Sequence, residues 1–343
     1  MITESRQLRL AVIIVSYQVR DLLAPCLKSV IAGQPAVIHD PRTGDRSLVT
    51  ETWVVDNASA DGSAEMVRRR FPQVHLIAND DNRGFAAANN QVLRQLISLN
   101  RAGAASKDAP DHILLLNPDT AVRGDALALL VAHLEQNPGV GAAGPALIYP
   151  DGRFQHSAFA FPGLLQLALD LFPIHGRLSA SRLNGRYPRS RYAAGKPFAI
   201  DHPLGAALMV RRQAIEQVGL LDEAFFMYGE EVDWCWRIKK GGWAIHCVPR
   251  AQVVHHEGRS TAQFREEMFV ALWRSRQRLY TRHHGRLTNW LAGQIVRLGI
   301  ARQMRRNRAR LARGEQNETQ WKSQHRAYER VLQEWGARSE RNP

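Results

Sequence analysis

The sequence predicts an α/β fold in which a mostly parallel, doubly wound sheet is followed by a basic helical extension. Short apolar runs alternate with stretches whose apolar residues recur at helical spacing, a pattern typical of β–α units. Hydrophobic residues make up 45% of the 343 positions and charged residues 23%, which excludes a disordered chain. The length allows one large domain with an appendage, or two domains.

The first half of the chain supplies the predicted elements. Residues 8–16 form an almost continuous apolar run, as expected for a parallel strand buried on both faces, and residues 19–31 follow helical spacing. Residues 33–50 are rich in turn-forming residues and lack periodicity, so we expect a surface loop there. The same patterns predict strands at 52–56, 74–78 and 112–116 and helices at 62–70 and 84–99.

The cysteines and the apolar segments bear on the cellular setting. Cys26, Cys235 and Cys247 form no CxxC pair, so neither a disulfide framework nor a structural zinc site is indicated, and a reducing, cytoplasmic setting is expected. The first apolar stretch is too short for a signal peptide. Because no segment reaches the roughly 18 to 20 apolar residues of a membrane span, we do not expect an integral membrane protein.

The net charge of +14 is concentrated near the C-terminus. Residues 265–313 contain 13 arginines against two acids, which gives +11. Such a segment attracts the phosphates of nucleic acid or of anionic lipid, and charge alone does not choose between them. Large apolar side chains interleave with the arginines, which favours a peripheral contact with anionic membrane and leads us to expect no nucleic acid. The apolar side chains between the arginines are Phe269, Leu272, Trp273, Leu279, Trp290, Leu291, Ile295 and Leu298.

Polar residues stand at the ends of three of the four predicted strands. In doubly wound sheets, ligands bind outside the carboxyl ends of the strands. These residues are therefore the first candidates for a binding site: Ser16, Tyr17, Asp56, Asn57, Asn117 and Asp119.

Asp119 closes a buried strand with a carboxylate that suits Mg²⁺ or Mn²⁺. These hard cations take few protein carboxylates and fill their other positions with phosphate oxygens and water. The alternative is that residues 117–119 form only a turn, with Asp119 capping the following helix. The segment by itself does not choose between the two interpretations.

Three carboxylates, those of Glu230, Glu231 and Asp233, occur within four positions among large apolar residues. Burial beside aromatic rings raises the pKa of a carboxyl toward the range useful to a general base, so all three are candidates for proton abstraction. Helical spacing puts Arg237 four residues after Asp233 as an ion-pair partner. A helix start stabilised by its macrodipole would explain one or two of these acids but not three.

Two further segments are candidates for ligand contacts. His255 and His256 end an apolar run, where a histidine is either a metal ligand or a polar strand terminus. Arg83 precedes a predicted helix, whose N-terminus is a common place for phosphate. For the nearby Asn89 and Asn90, ordinary helix capping is the alternative.

Seven motifs, in their order along the chain, resemble those of glycosyltransferase family 2, and in particular its rhamnosyltransferase-like branch, which builds bacterial surface polysaccharides. They are Val-Ser-Tyr, Val-Val-Asp-Asn-Ala-Ser, Asn-Arg-Gly-Phe-Ala-Ala-Ala-Asn-Asn, Leu-Leu-Asn-Pro-Asp, Gly-Ala-Ala-Leu-Met-Val-Arg-Arg, Phe-Phe-Met-Tyr-Gly-Glu-Glu-Val-Asp-Trp-Cys-Trp-Arg and Val-Val-His-His. The resemblance implies a GT-A type nucleotide-diphospho-sugar transferase domain over residues 1–264. Its nucleotide-binding half would span 8–120 and its acceptor half 121–264, followed by an Arg-rich helical extension over 265–343.

The resemblance also implies residue roles. Glu231, the second acid of the family's Glu-Asp pair, would be the catalytic base, although Asp is commoner there. A divalent cation, Mg²⁺ or Mn²⁺, would be held by Asp119 and His255, with His256 as the alternative. Donor nucleotide and sugar contacts would come from Ser16, Tyr17, Asp56, Asn57, Arg83 and Asn117, and the acceptor side from Gly205, Ala206, Glu230, Asp233 and Trp234.

The activity implied is inverting transfer of a sugar, rhamnose by analogy with the branch, from a UDP- or dTDP-sugar. The acceptor would be lipid-linked or a polysaccharide in cell-surface glycan synthesis, at the inner face of the cell membrane. Two alternatives remain. A sugar nucleotidyltransferase should show a Gly-rich basic loop after strand one, unlike the Val-Ser-Tyr-Gln-Val-Arg found here. A non-enzymatic nucleic-acid-binding protein would leave the three clustered acids without a role.

Overall fold

The computed structural model describes residues 7–33, 36–38, 44–98, 109–256 and 265–337. The chain divides into two compact units. The described residues of the first lie within 7–160, 187–226 and 230–256, and those of the second within 161–186, 227–229 and 265–337. The predicted domain boundary after residue 264 stays a prediction. The division of the chain into the two units differs from the predicted division mainly because residues 161–186 group with the C-terminal helices.

The strands all lie in the first unit, and the two-residue pieces β9 and β11 form a separate ribbon. In chain order the strands are β1 (Leu8–Ser16), β2 (Ala36–Ile38), β3 (Arg46–Asp56), β4 (His75–Ala78), β5 (His112–Leu116), β6 (Thr120–Val122), β7 (Val140–Ile148), β8 (Phe154–Gln155), β9 (Ala158–Phe159), β10 (Phe198–Ala199), β11 (His202–Pro203), β12 (Ala207–Arg211) and β13 (Ala244–His255).

The helices surround this sheet or form the second unit. They are α1 (Arg20–Ala32), α2 (Ser63–Arg70), α3 (Gly84–Ser98), α4 (Ala126–Gln136), α5 (Leu164–Leu171), α6 (Gly176–Ser179), α7 (Arg189–Ala193), α8 (Arg212–Val218), α9 (Glu230–Lys240), α10 (Arg265–His283), α11 (Arg286–Ala312) and α12 (Glu318–Ala337), with a 3₁₀ turn at Arg182–Asn184.

Among the described residues, eleven strands form one sheet whose main path is β10-β13-β7-β12-β5-β1-β3-β2. β1 pairs in parallel with β3 and β5, β4 in parallel with β3, and β13 in parallel with β7. β12 runs antiparallel between β5 and β7. The predicted α/β fold with a mainly parallel sheet and a helical C-terminal region is confirmed.

The pairing register brings distant residues to one edge of the sheet. Ser16 lies opposite Asp56, so the ends of β1 and β3 meet there. Because β12 is antiparallel to β5, its first residue, Ala207, lies opposite Leu116 at the same edge.

The prediction that residues 33–50 form a surface loop is wrong. β3 begins at Arg46, six residues before the predicted strand, and β2 pairs with it as an antiparallel edge. Leu48 lies opposite Leu8 and is buried, so its position in the sheet outweighs the turn-forming residues around it. Within this range, residues 34–35 and 39–43 lie outside the described residues.

The core of the first unit packs α1 and α4 against the sheet. Val12 and Ile14 of β1 and Leu114 and Leu116 of β5 belong to one buried cluster with apolar residues of those helices, such as Leu27. Burial of each such side chain contributes about 1.5–3 kcal/mol. The strand ends that carry the polar residues are therefore held in place by a rigid, close-packed layer.

The second unit is a helical bundle with its own apolar core. Residues of α5, α10, α11 and α12 share one buried cluster, and Trp335 Nε1 donates to Trp273 O at 3.1 Å. Gly299 of α11 lies so close to α5 that a Cβ there would meet Leu171 at 2.7 Å. In the part of the chain that the structure describes, no helix is both long enough and apolar enough to cross a bilayer.

Candidate functional site

The ends of β1 and β3 place buried oxygens at the sheet edge. Asp56 Oδ2 accepts a hydrogen bond from Ser59 N at 3.0 Å, while Asp56 Oδ1 and Ser16 Oγ are buried with no hydrogen-bond partner among the described residues. A buried polar atom without a partner is costly. The two oxygens therefore suit a ligand that brings hydrogen-bonding groups of its own.

The loops after these strands are strained and tied together. Gln18 and Ala58 have left-handed φ angles of 56° and 61°, which non-glycine residues rarely adopt. Gln18 N donates to Ser59 Oγ at 2.9 Å, and Arg20 N donates to Asp61 Oδ2 at 2.8 Å. The two loops thus form one fixed rim, and Tyr17 lies within it.

Asn57 positions the start of α3. Its Nδ2 donates to Gly84 O at 3.2 Å, and its Oδ1 accepts from Asn79 Nδ2 at 2.9 Å. Both ends of this buried amide are used within the protein, so the contacts indicate a positioning role rather than a direct donor contact.

Arg83 and Gly84 form the turn that leads into α3. Arg83 Nε lies 3.0 Å from Asp81 Oδ1, and the arginine side chain is 46% exposed. Such an exposed ion pair is weak, so the guanidinium is available to an anionic ligand. Gly84 has a φ of 78°, and a Cβ there would meet Phe226 O at 2.4 Å. Only glycine lets this turn approach the segment before α9.

Asp119 and His255 face each other across the β6–β13 pairing. His255 lies opposite Thr120, and His256 N donates to Asp119 O at 2.9 Å. His255 Nε2 is 3.5 Å from Asp119 Oδ1, too far for a good hydrogen bond, and both side chains are buried. A carboxylate and an imidazole arranged in this way fit a divalent cation.

The two interpretations of residues 117–119 can now be compared. Thr120 Oγ1 donates to Asn117 O at 2.7 Å, so the segment does turn. However, α4 begins only at Ala126 with Asp125 as its N-cap, and β6 intervenes. Asp119 therefore does not cap a helix.

Gln155 of β8 holds the other side of the His255 ring. His255 Nδ1 lies 3.2 Å from Gln155 Oε1, and both residues are buried. An amide oxygen only accepts, so Nδ1 carries a proton, and in the neutral ring Nε2 then directs its lone pair toward Asp119. His255, not His256, is thus the histidine aimed at Asp119, although its role as a ligand stays a prediction.

Within the described residues, no group of three or more His, Cys, Asp or Glu side chains could hold a metal. Asp119 and His255 would therefore supply two ligands. Phosphate oxygens and water would complete the shell, as is common for Mg²⁺ and Mn²⁺.

Glu231 packs against the segment that begins β12. A Cβ on Gly205 would lie only 3.1 Å from Glu231 Cδ and Oε1, so the missing side chain leaves room for this carboxylate. The next residue, Ala206, accepts a hydrogen bond from Asn117 N at 2.9 Å. Glu231 is thereby linked through two consecutive residues to the Asp119 segment.

Glu230 differs from its neighbour. It is 5% exposed, and its Oε2 is buried without a hydrogen-bond partner in the described residues. Burial, and then the charge of Glu231, raise the pKa of Glu230 well above 4.5. The protonated form is therefore favoured at Glu230, whereas the neighbouring Glu231 is only half-buried.

Asp233 and Trp234 lie in the interior. Arg237 Nε donates to Asp233 Oδ2 at 2.8 Å, which confirms the predicted pair, and Arg237 also donates to the carbonyls of Val218 and Leu220. The Trp234 indole is fully buried and donates to Gly219 O at 2.8 Å. Both side chains anchor α9 and the 218–220 turn, so their burial argues against the expected direct contact with an acceptor.

Comparison with known proteins identifies the chain. The model of the family described as Glycosyl transferase family 2 matches residues 11–219, more than half of the sequence. The chain belongs to this family.

Two relatives and a solved structure agree with this assignment. An N-acetylglucosaminyl-diphospho-decaprenol L-rhamnosyltransferase of Mycobacterium tuberculosis (strain CDC 1551 / Oshkosh) is 33% identical over 227 residues, covering 63% of this chain and 71% of the relative. The dTDP-rhamnosyl transferase RfbF of Shigella flexneri is 24% identical over 187 residues, covering 54% of this chain and 53% of the relative. These relatives confirm the predicted rhamnosyltransferase-like branch.

The solved structure is a mannosyltransferase of Pyrobaculum calidifontis in complex with GDP-Man and Mn²⁺. It superposes with a TM-score of 0.53 at 15% identity, covering 96% of this chain and 88% of that one. The likeness confirms the predicted GT-A type fold.

Sequence patterns in this family 2 glycosyltransferase gave no indication of Gln155. The residue lies 100 positions from His255, and it reaches the site only because β8 pairs with β7 and β7 pairs with β13. A polar residue in a two-residue strand has no periodicity to reveal it. Residues 257–261, which follow the Val-Val-His-His motif, lie outside the described residues.

We expect Gln155→Leu to weaken Mn²⁺ binding by about 10–100-fold, the usual cost of losing the partner that orients a metal-bound histidine. Gln155→Glu keeps an acceptor for Nδ1 and should recover most of the affinity. Titration followed by electron paramagnetic resonance measures free Mn²⁺. Wild-type affinity in a folded Gln155→Leu variant would show that the amide does not orient the ring.

Glu230 predicts a pH-dependent stability. Its pKa is raised in the folded protein, so above about pH 4.5 the unfolded chain releases this proton while the folded protein keeps it. The contribution of Glu230 to the free energy of unfolding is therefore fully present below that pH, and it is lost as the pH rises through the pKa of Glu230 in the folded protein. Glu230→Gln, which keeps a neutral side chain, should raise the Tm more near pH 8 than near pH 5. Thermal unfolding at both pH values measures this, and equal shifts would contradict it.

Proposed function

We propose that this family 2 glycosyltransferase transfers a sugar with inversion from a UDP- or dTDP-sugar to a hydroxyl group of a lipid-linked or polysaccharide acceptor in cell-surface glycan synthesis. The observation that supports this most directly is the continuity of the site. Glu231 packs on Gly205, Ala206 is hydrogen-bonded to Asn117, and the same segment carries Asp119. The proposed base, Glu231, and the proposed metal ligand, Asp119, are thereby connected within one site.

Rhamnose is the sugar we propose for the donor. The Mycobacterium tuberculosis relative is named as an L-rhamnosyltransferase that acts on N-acetylglucosaminyl-diphospho-decaprenol, and the Shigella flexneri relative as a dTDP-rhamnosyl transferase. Both names support a nucleotide-linked rhamnose donor, and the first supports a lipid-linked acceptor.

The donor nucleoside would lie on the rim formed by the ends of β1 and β3. Asp56 Oδ1 and Ser16 Oγ supply buried hydrogen-bonding atoms for base and ribose, with Tyr17 beside them. Arg83 would turn from Asp81 to the donor phosphates, exchanging a weak exposed ion pair for a charge-assisted bidentate contact. Asn117 would contact the ribose or the sugar.

Asp119 and His255 would hold a divalent cation, Mg²⁺ or Mn²⁺, which when bound neutralises the departing diphosphate. Asp119 contributes the negative charge and His255 a neutral imidazole nitrogen fixed by Gln155. The Pyrobaculum calidifontis mannosyltransferase, with Mn²⁺ in its structure, supports this choice of ion.

Glu231 would act as the general base. Its carboxylate accepts the proton of the acceptor hydroxyl, and the oxygen attacks the anomeric carbon while the bond to the diphosphate breaks. Attack and departure on opposite faces of the sugar invert the configuration. Gly205 and Ala206 would form the floor against which the acceptor aligns, and the buried Glu230, with its raised pKa, would favour its neutral form.

We place the enzyme at the inner face of the cell membrane, with residues 265–313 in peripheral contact with anionic lipid. A lipid-linked acceptor is found at that surface, and this segment carries +11. Membership of family 2 argues against the two alternatives, a sugar nucleotidyltransferase and a nucleic-acid-binding protein.

A screen for nucleoside diphosphate release tests the proposal. UDP-, dTDP- and GDP-sugars are each supplied with and without Mn²⁺ and with a polyprenyl-diphosphate-linked acceptor. We expect release from a UDP- or dTDP-sugar only when metal is present. Release of inorganic pyrophosphate when the enzyme is given a nucleoside triphosphate and a sugar phosphate would instead indicate a nucleotidyltransferase.

A further inference from the structure

The outer face of α11 is apolar where a surface helix is normally polar. Leu287, Trp290 and Leu298 are 71%, 55% and 65% exposed. At 3.6 residues per turn they fall within an arc of about 80° on one side of the helix. Isolated exposed apolar side chains are ordinary, but three large ones aligned along one helix mark an interaction surface.

The opposite face of α11 is already used by the fold. Ala292, Val296 and Ile300 are buried in the core of the second unit, and Gly299 lies against Leu171 of α5. The helix is thus held by its inner face and presents its outer face in a fixed orientation. Folding of the bundle explains the inner apolar residues and not the outer ones.

The same outer face becomes basic toward the C-terminal end. Arg305 and Arg308 continue the arc of Leu287, Trp290 and Leu298, and both are exposed. We call these five residues the outward stripe. Within its 27 residues α11 contains seven arginines and no Asp or Glu. Apolar side chains that include a tryptophan, followed by arginines on a helix without acids of its own, match the interface of a bilayer with anionic headgroups.

We propose that the outward stripe of α11 docks this enzyme on a membrane surface containing anionic lipid, with Leu287, Trp290 and Leu298 entering the interfacial region and Arg305 and Arg308 contacting lipid phosphates. This deepens, and rests on, the proposed peripheral membrane contact of residues 265–313, because it names the helix face involved.

Two other occupants fit the stripe less well. A second copy of the chain would bring two helices with seven arginines each together, with no acid on either helix to offset the repulsion. A polynucleotide would satisfy the arginines but would leave three large apolar side chains against a charged backbone. Of these three occupants, a lipid surface is the one that accommodates both parts of the stripe.

The test uses the full-length protein and sedimentation with phosphatidylcholine vesicles, with and without phosphatidylglycerol. We expect binding that requires phosphatidylglycerol. The Trp290→Glu/Leu298→Glu variant should bind at least about tenfold more weakly, because both side chains lose their apolar burial and gain like-charge repulsion from the lipid. Arg305→Glu/Arg308→Glu should lose most of the dependence on phosphatidylglycerol.

The matched control is Val37→Glu, which makes the same kind of change at a 51% exposed residue of β2 in the first unit. It should bind vesicles as the wild type does. Unchanged vesicle binding by the folded stripe variants would overturn the proposal. A dimer formed without lipid, or a complex with a polynucleotide, would also overturn it if the stripe variants abolished that complex and Val37→Glu did not. Nucleoside diphosphate release is measured separately on a water-soluble acceptor. Failure of that assay in the wild type would count against the proposed transferase reaction and not against docking.

Discussion

Glu231→Gln is expected to lower kcat for sugar transfer by about 10²–10⁴-fold, the range that a positioned general base contributes. The amide cannot accept the acceptor proton, yet it has nearly the size of the carboxyl group and can keep its packing against Gly205. Affinity for the donor should stay nearly intact, because the proposed donor contacts come from other residues and the amide keeps the packing of residue 231 against Gly205. Steady-state turnover and donor titration measure the two effects separately.

Glu230→Gln is the matched comparison, since it makes the same chemical change one position earlier. Burial raises the pKa of the Glu230 carboxyl and so favours its neutral form, which an amide resembles; we therefore expect this substitution to change little. We expect a loss in turnover of less than about tenfold. If Glu231→Gln retained nearly full turnover, or if the two variants lost activity equally, Glu231 would not be the base.

Asp119→Asn is expected to weaken Mn²⁺ binding strongly and to lower turnover by about 10²-fold or more, since a cation that offsets leaving-group charge is worth several kcal/mol. Asn keeps the shape of Asp but removes the negative charge that faces His255 Nε2 at 3.5 Å. The β5–β6 turn should survive, because its Thr120–Asn117 hydrogen bond does not involve the Asp119 side chain. Electron paramagnetic resonance of added Mn²⁺, together with kcat, reports both changes.

Asp125→Asn controls for this substitution. Asp125 is exposed six residues later, at the N-cap of α4, where its side chain makes no capping hydrogen bond. Its replacement should leave Mn²⁺ affinity and turnover unchanged. Full activity of Asp119→Asn, or wild-type activity after treatment with a chelator, would rule out a metal at this position.

Local patterns predicted the elements that local forces determine. β1 and β5 coincide with the predicted strands, because each is a continuous apolar run buried on both faces. β7 is also buried, yet Gly141, Gly144 and Pro145 lower its intrinsic strand preference, and it was not predicted. Its place depends on pairing with β12 and β13, from other parts of the chain. Such nonlocal pairing leaves little signal in a short window of sequence.

The candidate site shows the same division. The resemblance to the family implied that Asp119 and His255 act together, and their side chains lie 3.5 Å apart, although their role as metal ligands stays a prediction. The residues that hold His255 and Glu231 in place were not predictable from the sequence. Gln155 contacts His255, and Gly205 contacts Glu231, across long separations in sequence. Burial of Asp233 and Trp234 was missed for a related reason: a dense acidic and aromatic motif indicates a site, but not which members turn toward the core.

The antiparallel strand β12 has a consequence for inhibitor design. It pairs on one side with β5, which leads to the proposed metal segment, and on the other with β7. The carbonyl of Ala206, just before it, is bonded to Asn117. The proposed donor and acceptor segments are therefore joined by backbone hydrogen bonds within one sheet, which opposes their separation. A stiff molecule that joins a nucleoside diphosphate to an acceptor mimic at a fixed spacing should bind without forcing the protein to reorganise.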